Sequence, residues 1–584
     1  MAESDDTTGE MSEGLQVELF HPESDREPGD TNIQALGFDI HPVVFPVALV
    51  LIALFIAVTI LLGDQASAAY TFLFNFIGEN FGWFYLLAVN IFIVVLLFFA
   101  FSKYGKIKIG GVEAEKEFSD FSWMAMLFSA GMGIGLMFFS VSEPLYYFQN
   151  VPGFFGAEAG TGAAAQAAMA QTFFHWGFHP WAIYGLVGLG LAFFSFNRGL
   201  PLTFRSIFWP LLGERIHGWP GHVIDILSVM ATLFGLSTSL RIGVQQINAG
   251  LAVLSSQFLS VTVPQATWAQ VVLIGLITAI ATLSVAAGLD GGVRRLSEVN
   301  LYLMTLLLSL MVVVGPTLYL LGTFVSSIGT YVDVLPELVF WTETGGGTEW
   351  QRGWTIFYWG WWISWSPFVG MFIARISKGR TVREFVLGVF LLPSLFSFFW
   401  MSVFGGSALF VELETARTLV DAVDADVATA MFAAFPLTVP TSVLGVVLVV
   451  TFFVTSSDSG SLVVDAFTSG GKLRSPVTQR VFWASMEGLV AAILLVGGGL
   501  KALQTAAITT GLPFAVILII MGVSLRKGLK KEYEKEELRR KARERESYKE
   551  LVQDLIERDE KDGTYKDRED TSKDSGKNDR EQES

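Results

Sequence analysis

The 584-residue chain contains no cysteine, which excludes disulfides, thiolate catalysis and Cys-ligated metals. Charge is scarce as well. Asp, Glu, Lys and Arg make up 16% of the residues, against roughly 25% in soluble domains. Histidine occurs six times. The pair His175 and His179 has Trp176 where a zinc-hydrolase helix needs Glu, and no third ligand is evident. No period-two alternation points to an outer-membrane barrel. A polar stretch of about 40 residues precedes the first apolar run, so no secretory signal is expected.

Apolar residues are plentiful: 52% of the chain is hydrophobic, with 50 Phe, 16 Trp and 58 Gly. They fall in repeated runs of about 20 residues, the length a membrane helix needs. A backbone in lipid must satisfy its own hydrogen bonds, so the fold class expected is an all-α polytopic membrane protein. Twelve spans are expected near 43–63, 82–102, 120–141, 166–195, 222–247, 266–286, 300–322, 354–374, 384–406, 440–463, 478–498 and 504–525.

The net charge of −16 is uneven. Residues 1–41 hold 11 acidic residues and only Arg26 as a base, and read as a solvated acidic tail. Residues 42–525 are the membrane domain, and 526–584 form a second charged tail. In its first part, 526–549, 11 bases and 6 acids alternate with few helix breakers, a pattern that supports a helix. This segment is a solubilising tail or a contact for anionic lipid. With both tails on one side, the loops of that side carry sixteen Lys/Arg. The opposite side has only Arg352, Arg417 and Lys501, so the termini are expected to be cytoplasmic. The outer loops at 323–353 and 407–439 are long and acidic, with room for short surface helices. Arg241 falls inside the fifth span, where a charge faces a partner or a wet cavity.

Three segments depart from plain lipid-facing helix. Gly131, Gly133 and Gly135 alternate within the third span, each costing about 1 kcal/mol in a helix. They fit either an unwound cation-binding stretch or close helix packing. A nucleotide loop is not expected, because no strand precedes it. Trp359, Trp361, Trp362 and Trp365 crowd into seven positions before Pro367, too dense for an interfacial belt. Ring faces attract cations that cannot hydrogen-bond, so a cage for a quaternary ammonium group is expected. Thr455, Ser456, Ser457, Asp458, Ser459 and Ser461 cluster near the end of the tenth span. Such hydroxyls either bond back to their own helix or offer hard oxygens to a small cation. In the fourth span Trp176, Trp181 and Tyr184 fall within about 140° on an ideal helix.

These segments together resemble the betaine/carnitine/choline transporter family. FYWGWWISWSPFVGMFIARISKGRTVREF (357–385) is similar to the family's signature, and SAGMGIGLMFFSVSEPL (129–145), FHWGFHPWAIY (174–184) and VTSSDSGS (454–461) match in the same order. The resemblance spans roughly residues 40–530 and leaves out the tails. It implies two leading helices followed by two inverted five-helix repeats, with the site near the midplane. It implies that Trp176, Trp181, Tyr184 and Trp362 box a trimethylammonium group, with Trp365 and Trp361 along the outer and inner paths. Met132 and Trp359 are counted with them as substrate-binding residues. Gly135 stands where choline-type members have Asp, so the resemblance favours glycine betaine over choline or carnitine.

For sodium as coupling ion, the resemblance implies carbonyls of Ser129, Met132 and Phe452 with hydroxyls of Thr455 and Ser456. Asn300 stands where sodium-independent carnitine exchangers place Arg, which leaves that site free for the ion. At the family's other sodium site, two threonines four apart read here as Thr232 and Leu236, and Arg241 lies nearby as a fixed charge. The implied function is sodium-coupled import of a compatible solute for osmoprotection, in the plasma membrane, by a homotrimer with no cofactor, catalysis or nucleic-acid partner. A sodium-independent exchanger, a substrate-gated channel or a sensor using the same cage are the alternatives.

Overall fold

The computed structural model describes residues 26–131, 133–258, 261–287, 294–343, 349–414, 419, 438–497 and 499–561. Apart from a short hairpin, the described elements are helices. Among the described residues, ten helices are long and apolar enough to cross a membrane, so the chain is a multi-pass membrane protein.

The helices that frame the site are α1 (Val44–Leu62), α2 (Asp64–Phe101), α3 (Asp120–Gly131), α4 (Ile134–Gln149), α5 (Gly162–Trp176), α6 (Phe178–Phe196) and α7 (Trp219–Phe258). They continue with α8 (Thr267–Ala287), α9 (Arg294–Val314), α10 (Thr317–Leu338), α11 (Phe357–Arg375), α12 (Val382–Glu414), α13 (Thr438–Thr468), α14 (Val477–Gly497) and α15 (Gly499–Lys561).

Several expected spans differ in form. The third is interrupted between Gly131 and Ile134, where the glycines release the helix. The fourth breaks at Gly177. A Cβ there would come within 2.5 Å of the Phe398 ring and 2.7 Å of the Phe173 carbonyl, so only glycine allows the kink. The seventh stops at Val314 rather than 322, because Gly315 and Pro316 cannot continue it. The expected outer loop then begins as the 22-residue helix α10, of which only Leu320, Ser327, Tyr331 and Leu338 are buried. Helix α11 is missing from the ten on hydropathy, since indoles, serines and glycines dilute its apolar content. It needs no lipid-like surface: 17 of its 19 residues are buried by protein.

The body of the molecule is Pro22–Gly528. Residues 26–41 belong to it, although their composition reads as solvated tail. Strands β1 (Ile33–Ala35) and β2 (Phe38–Ile40) pair antiparallel across a turn at Leu36 and Gly37, both with positive φ. The hairpin is held by Lys472 Nζ on Asp39 Oδ2 at 2.6 Å, by the Asp39 N–H on Gln479 Oε1 at 2.9 Å, and by the His41 N–H on the Thr468 carbonyl at 2.8 Å. The described part of the second unit, residues 529–561, is the uninterrupted helical end of α15.

Candidate functional site: an aromatic cage

Helix α11 packs along both α6 and α7 and meets the breaks in the third and fourth spans. A cavity opens there, lined by Gly133, Gly135, Trp176, Trp181, Tyr184, Ser239, Trp361, Trp362, Trp365 and Ser397 among others. The ring geometry is that of a box. Trp176 and Trp362 meet at 76° with centroids 4.9 Å apart, Trp181 and Tyr184 at 83° and 5.5 Å, and Tyr184 and Trp362 at 80° and 6.3 Å. Trp361 stacks on Trp362 at 4.6 Å and 14°, and Trp365 lies 6.3 Å from Trp362.

The ring N–H groups are mostly turned into the protein. Trp362 Nε1 donates to the His175 carbonyl at 3.0 Å, and Trp361 Nε1 to the Gly235 carbonyl at 3.3 Å. Trp176 Nε1 donates to Glu143 Oε2 at 2.7 Å. With their polar edges satisfied, the indoles offer π faces to the cavity, the surface that attracts a methylated cation. Two donors are different: Tyr184 OH and Trp365 Nε1 are buried and have no hydrogen-bond partner among the described residues. Among the described residues, no carboxylate lines the cavity.

Glu143 and its partners support the cage from behind. Its carboxylate is fully buried and accepts from Trp176 Nε1, from Tyr358 OH at 2.7 Å and from His175 Nδ1 at 2.6 Å. The His175 Nε2 lies 3.0 Å from Thr355 Oγ1 and 3.1 Å from Gln171 Nε2. One carboxylate therefore positions Trp176 directly and Trp362 through the His175 backbone. A lone acid within an apolar run was the available signal, but the motif reading passed over it. Ser239 and Ser397 were also missed.

The remaining expected residues divide clearly. Trp176, Trp181, Tyr184, Trp361, Trp362, Trp365 and Gly135 come together at the cavity. A Cβ on Gly135 would lie 3.0 Å from both Trp176 and Trp361, so a larger residue there would press on two walls of the box. Trp359 stands apart: it is 1% exposed, stacks on His179 at 5.2 Å and 18°, and meets Phe174 at 5.2 Å. Met132 lies outside the described residues, as does the Ser129 side chain.

On α13, Phe452, Thr455 and Ser456 share one stretch of buried or half-buried helix. Thr455 Oγ1 donates within its helix, toward the Thr451 carbonyl at 3.0 Å, and receives Asn300 Nδ2 at 3.1 Å. Hydroxyl and carbonyl oxygens of this kind are the ligands that suit a small hard cation, although the Asn300 NH2 group takes up one lone pair of Thr455 Oγ1. In α7, Thr232 bonds back to the Ser228 carbonyl at 2.7 Å. Leu236 packs against Gly460, where a Cβ would sit 2.2 Å from it. Arg241 is 8% exposed, and its Nε and Nη1 have no hydrogen-bond partner among the described residues.

Residues 43–534 match the family model described as BCCT, betaine/carnitine/choline family transporter. The chain is 46% identical over 528 residues to a glycine betaine/proline/choline transporter of Vibrio parahaemolyticus, covering 87% of this chain and 94% of that one. A glycine betaine transporter of the same organism is 47% identical over 524 residues, covering 87% and 97%. One from Acinetobacter baylyi is 44% identical over 496 residues, covering 84% and 74%. With its box of rings and a family match running almost the length of the body, the chain belongs to the betaine/carnitine/choline transporter family.

Proposed function

We propose that the protein imports a quaternary-ammonium compatible solute, glycine betaine first, by sodium-coupled alternating access. The observation that carries this reading is the box itself: four rings at near right angles around a cavity that no carboxylate lines. A trimethylammonium group donates no hydrogen bond, so ring faces stabilise it by about 1–2 kcal/mol each once desolvated. Tyr184 OH and Trp365 Nε1 supply donors suited to the carboxylate of a zwitterion. Choline, which has no carboxylate, gains less from them.

Sodium would be held by the Phe452 carbonyl and the Thr455 and Ser456 hydroxyls of α13, together with the carbonyls that the resemblance assigns to Ser129 and Met132. Its inward movement adds ~2.3 kcal/mol per charge per 100 mV of membrane potential to its concentration gradient. Arg241 takes the place of a second ion, because Thr232 is satisfied by its own helix and Leu236 has no hydroxyl. The protein works as a homotrimer in the plasma membrane, with both termini cytoplasmic, and serves osmoprotection.

The test is uptake of labelled betaine into proteoliposomes under an imposed sodium gradient. Uphill accumulation that follows sodium with a Hill coefficient near one is expected. Equilibration without accumulation overturns the coupling in favour of a channel, and a coefficient near two overturns the role given to Arg241.

A further inference from the structure

A second cavity, about 180 Å³ in volume, shares no lining residue with the cage and lies between the segment at residues 26–43 and the connection at 201–222. Its inner wall carries Arg205 and three of the six histidines, His41, His217 and His222. The exposed carboxylates of Glu27 and Asp30 lie at its rim with Arg26.

The hydrogen-bond pattern of this wall is short of acceptors. His41 is 5% exposed, and its Nδ1 accepts from the backbone N–H groups of Val43 and Val44, both at 3.2 Å. Burial, followed by the charge of Arg205, pushes the His41 pKa down to about 3, so the ring is neutral at physiological pH. With Nδ1 accepting, the single ring proton sits on Nε2. That nitrogen lies 3.4 Å from Arg205 Nη1, which is also a donor. Two donors thus face one another.

Arg205 itself is half satisfied. Its Nε and its backbone N–H both donate to the buried carboxylate of Asp225, the latter at 3.0 Å. Arg205 lines the cavity, and its Nη2 has no hydrogen-bond partner among the described residues although the residue is only 6% exposed. His222 packs edge-on against His41 at 4.9 Å, with Nδ1 likewise unpartnered. A buried guanidinium edge left open beside an N–H donor costs free energy unless an acceptor joins them.

We propose that this cavity binds an oxyanion of the phosphate class, held between Arg205 and His41 Nε2 with His222 beside it. A tetrahedral oxyanion presents acceptors in the fork geometry that an arginine edge matches. The exposed acids at the rim disfavour casual anion entry and leave selection to the buried donors. The chemistry is common to free phosphate and to a phosphomonoester lipid headgroup.

The test uses the full chain. Inorganic phosphate is titrated into detergent-solubilised protein against chloride at matched ionic strength, read by calorimetry and by thermal unfolding. Saturable binding with a raised unfolding temperature is expected. It should weaken about tenfold or more in Arg205→Gln/Asp225→Asn, which neutralises the pair together, and about threefold in His222→Leu, which leaves the pair intact. In phosphatidylcholine nanodiscs, competition by added phosphatidic acid assigns the site to a lipid headgroup, and lack of competition assigns it to free oxyanion. Absence of saturable phosphate binding together with no effect of phosphatidic acid overturns the proposal. So does phosphate affinity that is unchanged in both variants.

Discussion

Three of the cage indoles have their N–H groups fixed on protein acceptors, whereas the oxygens where α13 faces α14 are left partly unused. Trp176, Trp361 and Trp362 each give their ring proton to a carboxylate or carbonyl at 3.3 Å or less. Asp458 and Glu487 are both fully buried, and each receives one hydroxyl, from Ser284 and Ser457 respectively. Asp458 Oδ1 and Glu487 Oε1 have no hydrogen-bond partner, and neither acid forms an ion pair among the described residues. The contrast fits what the two proposed ligands would demand. A methylated ammonium would need polarisable faces with few competing dipoles, and three of the indoles have their polar edges tied elsewhere. A small cation would need oxygen lone pairs, of the kind this buried stretch of helix leaves open.

The largest effect is expected behind the cage. Glu143→Ala leaves Trp176 Nε1, Tyr358 OH and the His175 ring without their shared acceptor. Removing one member of such a buried network costs about 3–5 kcal/mol, so the detergent-solubilised variant should unfold at a markedly lower temperature. Glu143→Gln keeps an acceptor oxygen and should recover part of the loss. Equal melting of wild type and Glu143→Ala would show that these bonds do not hold the wall in place.

Next comes the wall itself. Trp362→Ala removes one desolvated ring face, about 2 kcal/mol, and should weaken betaine binding roughly 30-fold by calorimetry. Sodium affinity measured without betaine should stay close to wild type. On the oxygen side the dependence reverses: Thr455→Val deletes a hydroxyl worth about 1 kcal/mol. It should raise the sodium needed for half-maximal uptake several-fold, with betaine affinity kept at saturating sodium. If Thr455→Val instead weakened betaine alone, the division between the two regions would fail.

Residue type made much of this legible, while direction did not. Four indoles in seven positions could only be a deliberate cluster, and the breaks at Gly133 and Gly177 follow from glycine in apolar helix. Glu143 was readable as an anomaly, but its three partners come from α5 and α11, and no spacing rule connects them. Residues 26–41 look solvated by composition, yet the hairpin docks through specific bonds from Lys472, Gln479 and Thr468, more than 400 residues away. Such long-range pairing leaves no local trace. Hydropathy continues past Val314 and so places the end of the seventh span too late, while Gly315 and Pro316 end the helix there.

Trp359 gives the smallest expected effect and the sharpest check. Its spacing of three from Trp362 places the two rings about 60° apart around the helix, which says that they are neighbours but not which of them faces the cavity. The structure puts Trp362 at the cavity and Trp359 against His179 and Phe174. Trp359→Phe keeps an aromatic ring in that buried slot and trims its volume. The cost is one of packing, about 1 kcal/mol, seen as a modest fall in unfolding temperature. Betaine affinity should change by less than about twofold, since no ring face is withdrawn from the substrate. A loss comparable to that of Trp362→Ala would mean that Trp359 is a wall of the box, and that α11 turns a different face toward the substrate during transport.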